Sequence, residues 1–235
     1  MKGKIIVIEG TDCSGKQTQT EILKNRLLDE GYNVATFSFP NYNSPTGKII
    51  GGPYLGKSYI CDGWFEEGAG NVNPKVAALY YAADRLYNID TIMEKYNQGY
   101  IVILDRYVYS NIAHQGGRIE DDVKRFEMYK WLDKLEFDLI GLPKADIGIF
   151  LHVPYKVANE LKKNREEEPD QLERDEKYLI NGEKAYFEMA SLYNFSIIEC
   201  SLNDKILPID DISDKIYNII KKEFEGRAVW KLLLL

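Results

Sequence analysis

Residues 10–18, Gly10-Thr11-Asp12-Cys13-Ser14-Gly15-Lys16-Gln17-Thr18, are the stretch whose types and spacing most directly specify chemistry. Gly10 and Gly15 permit a backbone curl that a Cβ would obstruct. Such a curl turns N–H groups inward, and the start of a following helix adds positive partial charge, so the loop suits phosphate oxygens. Lys16 supplies a point charge for the terminal phosphates. The P-loop pattern expects Ser or Thr directly after the lysine, to hold Mg²⁺, and Gln17 stands there instead. Thr18 follows one place later and suits an inner phosphate. The Gln17 amide oxygen or a water is left to complete the metal's shell.

A loop of this kind must leave a strand and open a helix. Ile5-Ile6-Val7-Ile8 is a short β-branched run and predicts a buried strand. From Gln19 onward Ile22, Leu23, Arg26 and Leu27 have helical spacing, with Gly31 as a stop. Asn33 to Phe39 alternates as a second strand, closed by Pro40. The loop from Phe39 to Gly47 then falls at the mouth of a parallel sheet, where ligands bind in open α/β folds. Pro74 to Asn97 predicts a long helix, with proline accepted in its first turn. Tyr100 to Leu104 is a third strand that runs into Asp105-Arg106-Tyr107. A carboxylate there, facing the phosphate loop, is placed to associate with Mg²⁺. Asp121–Leu135 predicts an amphipathic helix, Ile147–Leu151 and Phe195–Cys200 two more strands, and Ile209–Phe224 a last helix. Strands alternating with helices predict an α/β fold of the P-loop NTPase type: three αβα layers, with a five-stranded parallel sheet between helices.

Two segments resist this reading. Residues 51–73 hold Gly51, Gly52, Gly56, Gly63, Gly68 and Gly70 together with Trp64 and Phe65. They read as a long surface loop, a flap or a partner contact. From Asn159 to Tyr178 the chain is almost wholly charged, which describes a solvated helix face or a closing lid over about residues 160–175.

At 235 residues, 45% of them hydrophobic, the chain suits one α/β domain over residues 1–226. A net charge of −7 argues against a general nucleic-acid binder. Cys13, Cys61 and Cys200 are odd in number and far apart, which suggests neither a disulfide framework nor a metal cluster and fits a reducing cytoplasm. Met1-Lys2-Gly3-Lys4 leads straight into the first strand, so no leader is expected. No apolar run approaches the roughly 20 residues of a membrane span. The apolar tail over residues 227–235 is left unassigned.

The chain resembles the thymidylate kinases from its first strand to its last helix. Glu9-Gly10-x-Asp12-x-x-Gly15-Lys16 is similar to that family's P-loop, and Phe39-Pro40 to its strand-two motif. Leu79-Tyr80-Tyr81-Ala82-Ala83-Asp84-Arg85 is similar to its base-binding helix. Asp105-Arg106-Tyr107, with Ser110 and Ala113-His114-Gln115-Gly116-Gly117, is similar to its acid–arginine segment. Gly141-Leu142-Pro143-x-x-Asp146 matches the stretch before its fourth strand. The resemblance implies a homodimeric enzyme that moves the γ-phosphoryl group of ATP to dTMP with Mg²⁺.

Carried onto these positions, Tyr81 stacks on the pyrimidine, Arg85 donates to a base carbonyl, and Ser110 and Gln115 bond the base edge. Arg106 clamps the acceptor phosphate in a planar fork. Asp12 orients the sugar or the surroundings of that phosphate, and His114 crowds a ribose 2′-OH. The lid supplies a catalytic arginine, with Arg165 ahead of Arg174, because Cys13 stands where one subgroup has its P-loop arginine. Family members often carry an arginine on the acceptor phosphate two residues past the Phe-Pro pair, and here that position is Tyr42. Two alternatives stay open. One is a kinase for another deoxynucleotide or a nucleoside. The other is a nucleotide-binding regulatory protein without transfer, which Gln17 and Tyr42 motivate. The absence of an Asn-Lys-x-Asp motif argues against a GTPase switch.

Overall fold

The computed structural model describes residues 2–162, 172 and 174–233. After β1 (Lys4–Gly10) come α1 (Lys16–Asp29), β2 (Val34–Ser38) and α2 (Pro45–Ile49), which runs on into a wider π-type turn, Ile50–Tyr54. Next are α3 (Pro74–Asn97), β3 (Ile101–Asp105), α4 (Val108–Gly117) and α5 (Asp122–Asp133), with a second π-type turn, Lys134–Leu139. β4 (Ile147–His152), α6 (Tyr155–Lys162) and α7 (Glu176–Leu192) follow. The chain closes with β5 (Ser196–Glu199), β6 (Ser201–Leu202), β7 (Lys205–Ile206) and α8 (Ile209–Leu233).

The main sheet has five strands in the order β2-β3-β1-β4-β5, all parallel, and β6 and β7 form a separate antiparallel pair. β1, apolar from Ile5 to Ile8, lies at the centre because both of its faces are covered. The pleat sends alternate side chains to opposite faces. Ile5 and Val7 join Val102 and Leu104 under α4, α5 and α7, while Ile6 and Ile8 join Leu23, Leu27, Ile212 and Ile216 under α1 and α8. Each such buried side chain contributes about 1.5–3 kcal/mol of transfer free energy. The register pairs Ile8 with Asp105 and Gly10 with Leu151, so the phosphate loop and Asp105 leave neighbouring strands at the same end.

The two ends of the glycine-rich segment are packed, whereas residues 58–67 between them form a largely exposed loop, as the surface-loop reading expects. Ile50, Tyr54, Leu55, Ala69 and Val72 bury themselves with Ala77 and Leu172 in a satellite core. Tyr54 Oη donates to Ala69 O at 3.1 Å, closing the segment on itself. Trp64 and Tyr59 stay exposed. Helix α4 was not foreseen, and its cap explains why. No local side chain caps it. Instead Glu9, at the end of β1, accepts from Tyr107 N at 2.9 Å and Ser110 N at 3.0 Å. A carboxylate at a helix N-terminus satisfies its open amides and complements its dipole. The lid expectation falls mostly on residues outside the described ones; α6 leads into that stretch and α7 follows it. At the C-terminus the backbone of α8 continues to Leu233, so the helix takes in much of the apolar tail. No helix among the described residues is long and apolar enough to cross a membrane.

Candidate active site

Two cavities meet at the carboxyl ends of the strands. The first is a cleft of about 460 Å³ lined by Asp12, Cys13, Ser14, Gly15, Lys16, Gln17 and Thr18, with Asp105, Arg106 and the Ser38–Pro40 and Tyr42 side of the β2 loop. A Cβ at Gly10 would stand 2.4 Å from Ser14 Oγ and 2.9 Å from Leu151 O, so only glycine lets the loop close. Gly15, at φ 73°, precedes α1 without a side-chain cap, which leaves the helix's first amides for an anion. Lys16 Nζ donates to Gly10 O at 3.1 Å and Thr11 O at 2.9 Å, held over the loop. Burial, with the Arg106 cation beside it, pushes Lys16 down to about 8 despite the pull of Asp105, Asp12 and Glu9.

The second cavity, about 200 Å³, is lined by Phe39, Leu55, Lys57, Tyr81, Arg85, Ser110, Asn111, His114, Gln115, Leu172, Tyr178 and Leu179, among others. Arg85 lies 2% exposed and makes a bidentate pair with the fully buried Glu136 through Nε and NH2. Glu136 Oε1 also accepts from Asn111 Nδ2 at 2.7 Å, and that amide nitrogen donates again to Ala78 O at 3.1 Å. Two acceptors fix which end of the Asn111 amide is nitrogen. Its Oδ1 is then buried without a partner among the described residues. Arg85 and Asn111, joined through one carboxylate oxygen, thus stand side by side in the cavity wall.

Asp12, Phe39, Pro40, Tyr42 and Arg106 line both cavities and form the shared wall. Arg106 adopts φ 64°, a conformation that costs a non-glycine residue energy. Its surroundings hold it there: NH1 donates to Tyr186 Oη at 2.8 Å and Ser110 Oγ at 3.3 Å, and NH2 lies 3.7 Å from Asp12. Burial opposes its charge, yet Tyr186, Asp12, Glu9 and Asp105 keep its pKa above the ordinary value. Burial also opposes ionisation of Asp12, but Lys162 (2.9 Å away), Arg106 and Lys16 bring the carboxyl down to about 2. Glu9, buried beneath them, is raised by desolvation against the pull of Arg106. His114 stacks on Tyr178, centroids 5.6 Å apart, and burial with the Arg106 charge pushes it down to about 3, so the imidazole is neutral.

The structure therefore gathers Gly10, Asp12, Lys16, Gln17, Thr18, Asp105 and Arg106 around the cleft. Phe39, Tyr42, Tyr81, Arg85, His114 and Gln115 meet in or beside the second cavity. Thr11 lies apart from the cleft lining, its hydroxyl donating to Val153 O at 2.8 Å. Ser110 lines the cavity, but its hydroxyl donates to Glu9, so its proton secures Arg106's turn and not a base edge. Gln115 Oε1 accepts from Arg118 at 3.0 Å. Arg174 is exposed before α7 and lines neither cavity, while Arg165 lies outside the described residues. Sequence reasoning missed Asn111, Glu136, Lys57, Tyr178 and Tyr186. Only Asn111, one residue past Ser110, sat within a motif that pointed at the site.

The parallel sheet, phosphate loop and second cavity sharing its wall define a P-loop phosphotransferase of the nucleoside monophosphate kinase class. Comparison narrows this. The thymidylate kinase family model matches residues 8–216. The thymidylate kinase of Schizosaccharomyces pombe is 30% identical over 219 residues, covering 93% of this chain and 92% of its own length. That of Mycobacterium tuberculosis is 31% identical over 195 residues, covering 80% and 86%. The solved thymidylate kinase of Candida albicans superposes with a TM-score of 0.70 at 25% identity, covering 94% of this chain and 92% of that one. The chain belongs to the thymidylate kinase family.

Proposed function

We propose that the chain transfers the γ-phosphoryl group of ATP to dTMP, giving ADP and dTDP. The observation that carries the acceptor reading is the Arg85–Asn111 edge. Arg85 NH1 has no partner among the described residues and can donate to a carbonyl, while the orphaned Asn111 Oδ1 asks for an N–H. Thymine presents that sequence, a carbonyl beside N3–H; cytosine presents its reverse. Guanine shares the pattern but brings a second ring into a cavity of about 200 Å³ walled by Phe39, Tyr81 and Leu55. Tyr81 supplies an aromatic face for the base, and His114 and Tyr178 crowd the sugar side.

Transfer forms a bond from an acceptor phosphate oxygen to the γ-phosphorus and breaks the bond to the bridging oxygen, whose electron pair leaves with ADP. The protein's part is positioning and charge neutralisation. Lys16 and the loop amides hold the donor, and Arg106 faces the acceptor phosphate from the shared wall. The lid cation is assigned to Arg165, with Arg174 second. Asp105 and Gln17 offer hard oxygen donors in the cleft, and among the described residues no cluster of three or more ligating side chains exists. That set suits Mg²⁺, which takes one or two carboxylates and leaves the rest of its shell to phosphate and water. When bound, the ion would neutralise charge on the donor phosphates.

The outward face of α3 supports a homodimer: Val76, Leu79, Leu86 and Tyr87 are 40%, 49%, 51% and 59% exposed at helical spacing. Light scattering should return twice the chain mass. No disulfide links Cys13, Cys61 and Cys200, which supports the cytoplasmic reading. The deciding assay is single-turnover transfer from ATP to dTMP, dUMP, dCMP, dGMP and thymidine. Because the Candida enzyme is described as having broad substrate specificity, the panel includes a purine. dTMP should be the best acceptor. Transfer to dCMP as fast as to dTMP would remove the base-edge argument, and no transfer at all would leave the regulatory alternative.

A further inference from the structure

We infer that Lys57, from the glycine-rich segment, is a binding residue for the phosphate of the acceptor. This rests on the acceptor reading above and adds a residue to it. The acceptor cavity has a direction. Arg85 and Asn111 line it alone, while Asp12, Tyr42 and Arg106 also line the donor cleft. An acceptor with its base on Arg85 and Asn111 must present its phosphate at that shared wall, where the γ-phosphoryl group arrives.

Lys57 lines the same cavity, and its ammonium lies between two rings, 5.4 Å from the centroid of Tyr42, one of the shared-wall residues, and 5.9 Å from that of the exposed Tyr59. A cation held against an aromatic face stays near it. The root of the side chain is fixed as well. Lys57 N donates to Gly51 O at 2.8 Å, and Lys57 O accepts from Ile60 N at 2.8 Å and Cys61 N at 3.2 Å. A Cβ at Gly51 would stand 2.4 Å from Ile60 Cδ1 and 2.9 Å from Tyr42 Cδ1, so this glycine brings segment and ring together. Leu55, two residues earlier, gives the same cavity an apolar wall. One short stretch therefore offers a surface for the nucleoside and a charge for its phosphate. Tyr42 brings no charge of its own to that end, and an ammonium beside its ring meets an anion's need there.

The test separates phosphate from nucleoside by titration calorimetry of wild type, Lys57→Ala and Lys57→Arg with dTMP and with thymidine. Lys57→Ala should weaken dTMP about tenfold and leave thymidine unchanged, with KM for ATP unaltered. Lys57→Arg should restore most of the dTMP affinity. Unchanged dTMP affinity in Lys57→Ala would overturn the inference. So would equal losses for dTMP and thymidine, which would make Lys57 a packing residue, or a failure of Lys57→Arg to rescue. A wild type that prefers another monophosphate to dTMP would instead overturn the base assignment, and the same comparison with that nucleotide and its nucleoside then decides Lys57.

Discussion

The donor cleft takes most of its lining from one unbroken stretch, Asp12 to Thr18, whereas the acceptor cavity collects side chains from α3, α4, α7 and several separate loops. The cleft works largely through backbone, with amides, a glycine-permitted curl and one lysine. The cavity works through side chains locked by a buried ion pair and an amide. A site built from consecutive backbone tolerates loss of a side chain in its fold but not in its chemistry. A site built on buried charge puts fold and recognition at risk together.

Lys16→Ala breaks the comparison most sharply. It should lower single-turnover transfer by on the order of 10²–10³-fold, while the urea midpoint stays where it was. The mirror case is Glu136→Gln, which leaves Arg85 charged and unpaired at 2% exposure. That should cost about 3–5 kcal/mol of stability, read as a lower denaturation midpoint at unchanged slope. A Glu136→Gln protein as stable as wild type would mean that the cavity's frame does not rest on this pair.

The same contrast explains what the sequence made legible. The phosphate loop, β1 and Asp105 could be read because strand, loop and lysine are neighbours in the chain and local physics defines them. The sheet followed from alternating strands and helices. Glu136 could not be read: it lies 51 residues from its partner Arg85, in a π-type turn, and a lone glutamate there looks solvated. Asn111 was hidden because its part depends on which amide end Glu136 and Ala78 claim. Helix α4 was invisible since its cap is Glu9, on another element. The packed ends of residues 51–73 were hidden because glycines mask the spacing of Ile50, Tyr54, Leu55, Ala69 and Val72.

A titration sharpens the comparison from the electrostatic side. Lys16 is pushed down to about 8, so it is charged below that pH and neutral above it. kcat/KM for ATP, which reports the free enzyme, should be flat below pH 8 and fall by up to about tenfold per unit above it. His114, held down to about 3, is neutral throughout, so dTMP affinity between pH 7 and 8 should not change through the cavity. A profile for ATP that stays flat to pH 10 would contradict the depressed lysine.

The smallest effect concerns the wall between the sites. Asp84, 1% exposed, accepts from Asn41 N at 2.8 Å, Ser44 Oγ at 2.9 Å, Thr46 Oγ1 at 2.7 Å and Asn88 Nδ2 at 3.0 Å, and so ties down the loop that carries Tyr42. Asp84→Asn should raise KM for dTMP by about three- to tenfold, with less effect on ATP. An equal rise for both would place the loop's main role in the donor cleft.

The central claim is that Arg85 and Asn111 read a carbonyl beside an N–H on the acceptor base. Its most direct test is competitive binding of dTMP against N3-methyl-dTMP at saturating ATP analogue. The methyl group replaces the N3 proton that Asn111 Oδ1 would accept and leaves the carbonyls, sugar and phosphate in place. The account predicts a loss of about 10- to 100-fold for the methylated nucleotide, with ATP-analogue affinity unchanged. Equal affinity for the two acceptors would contradict it.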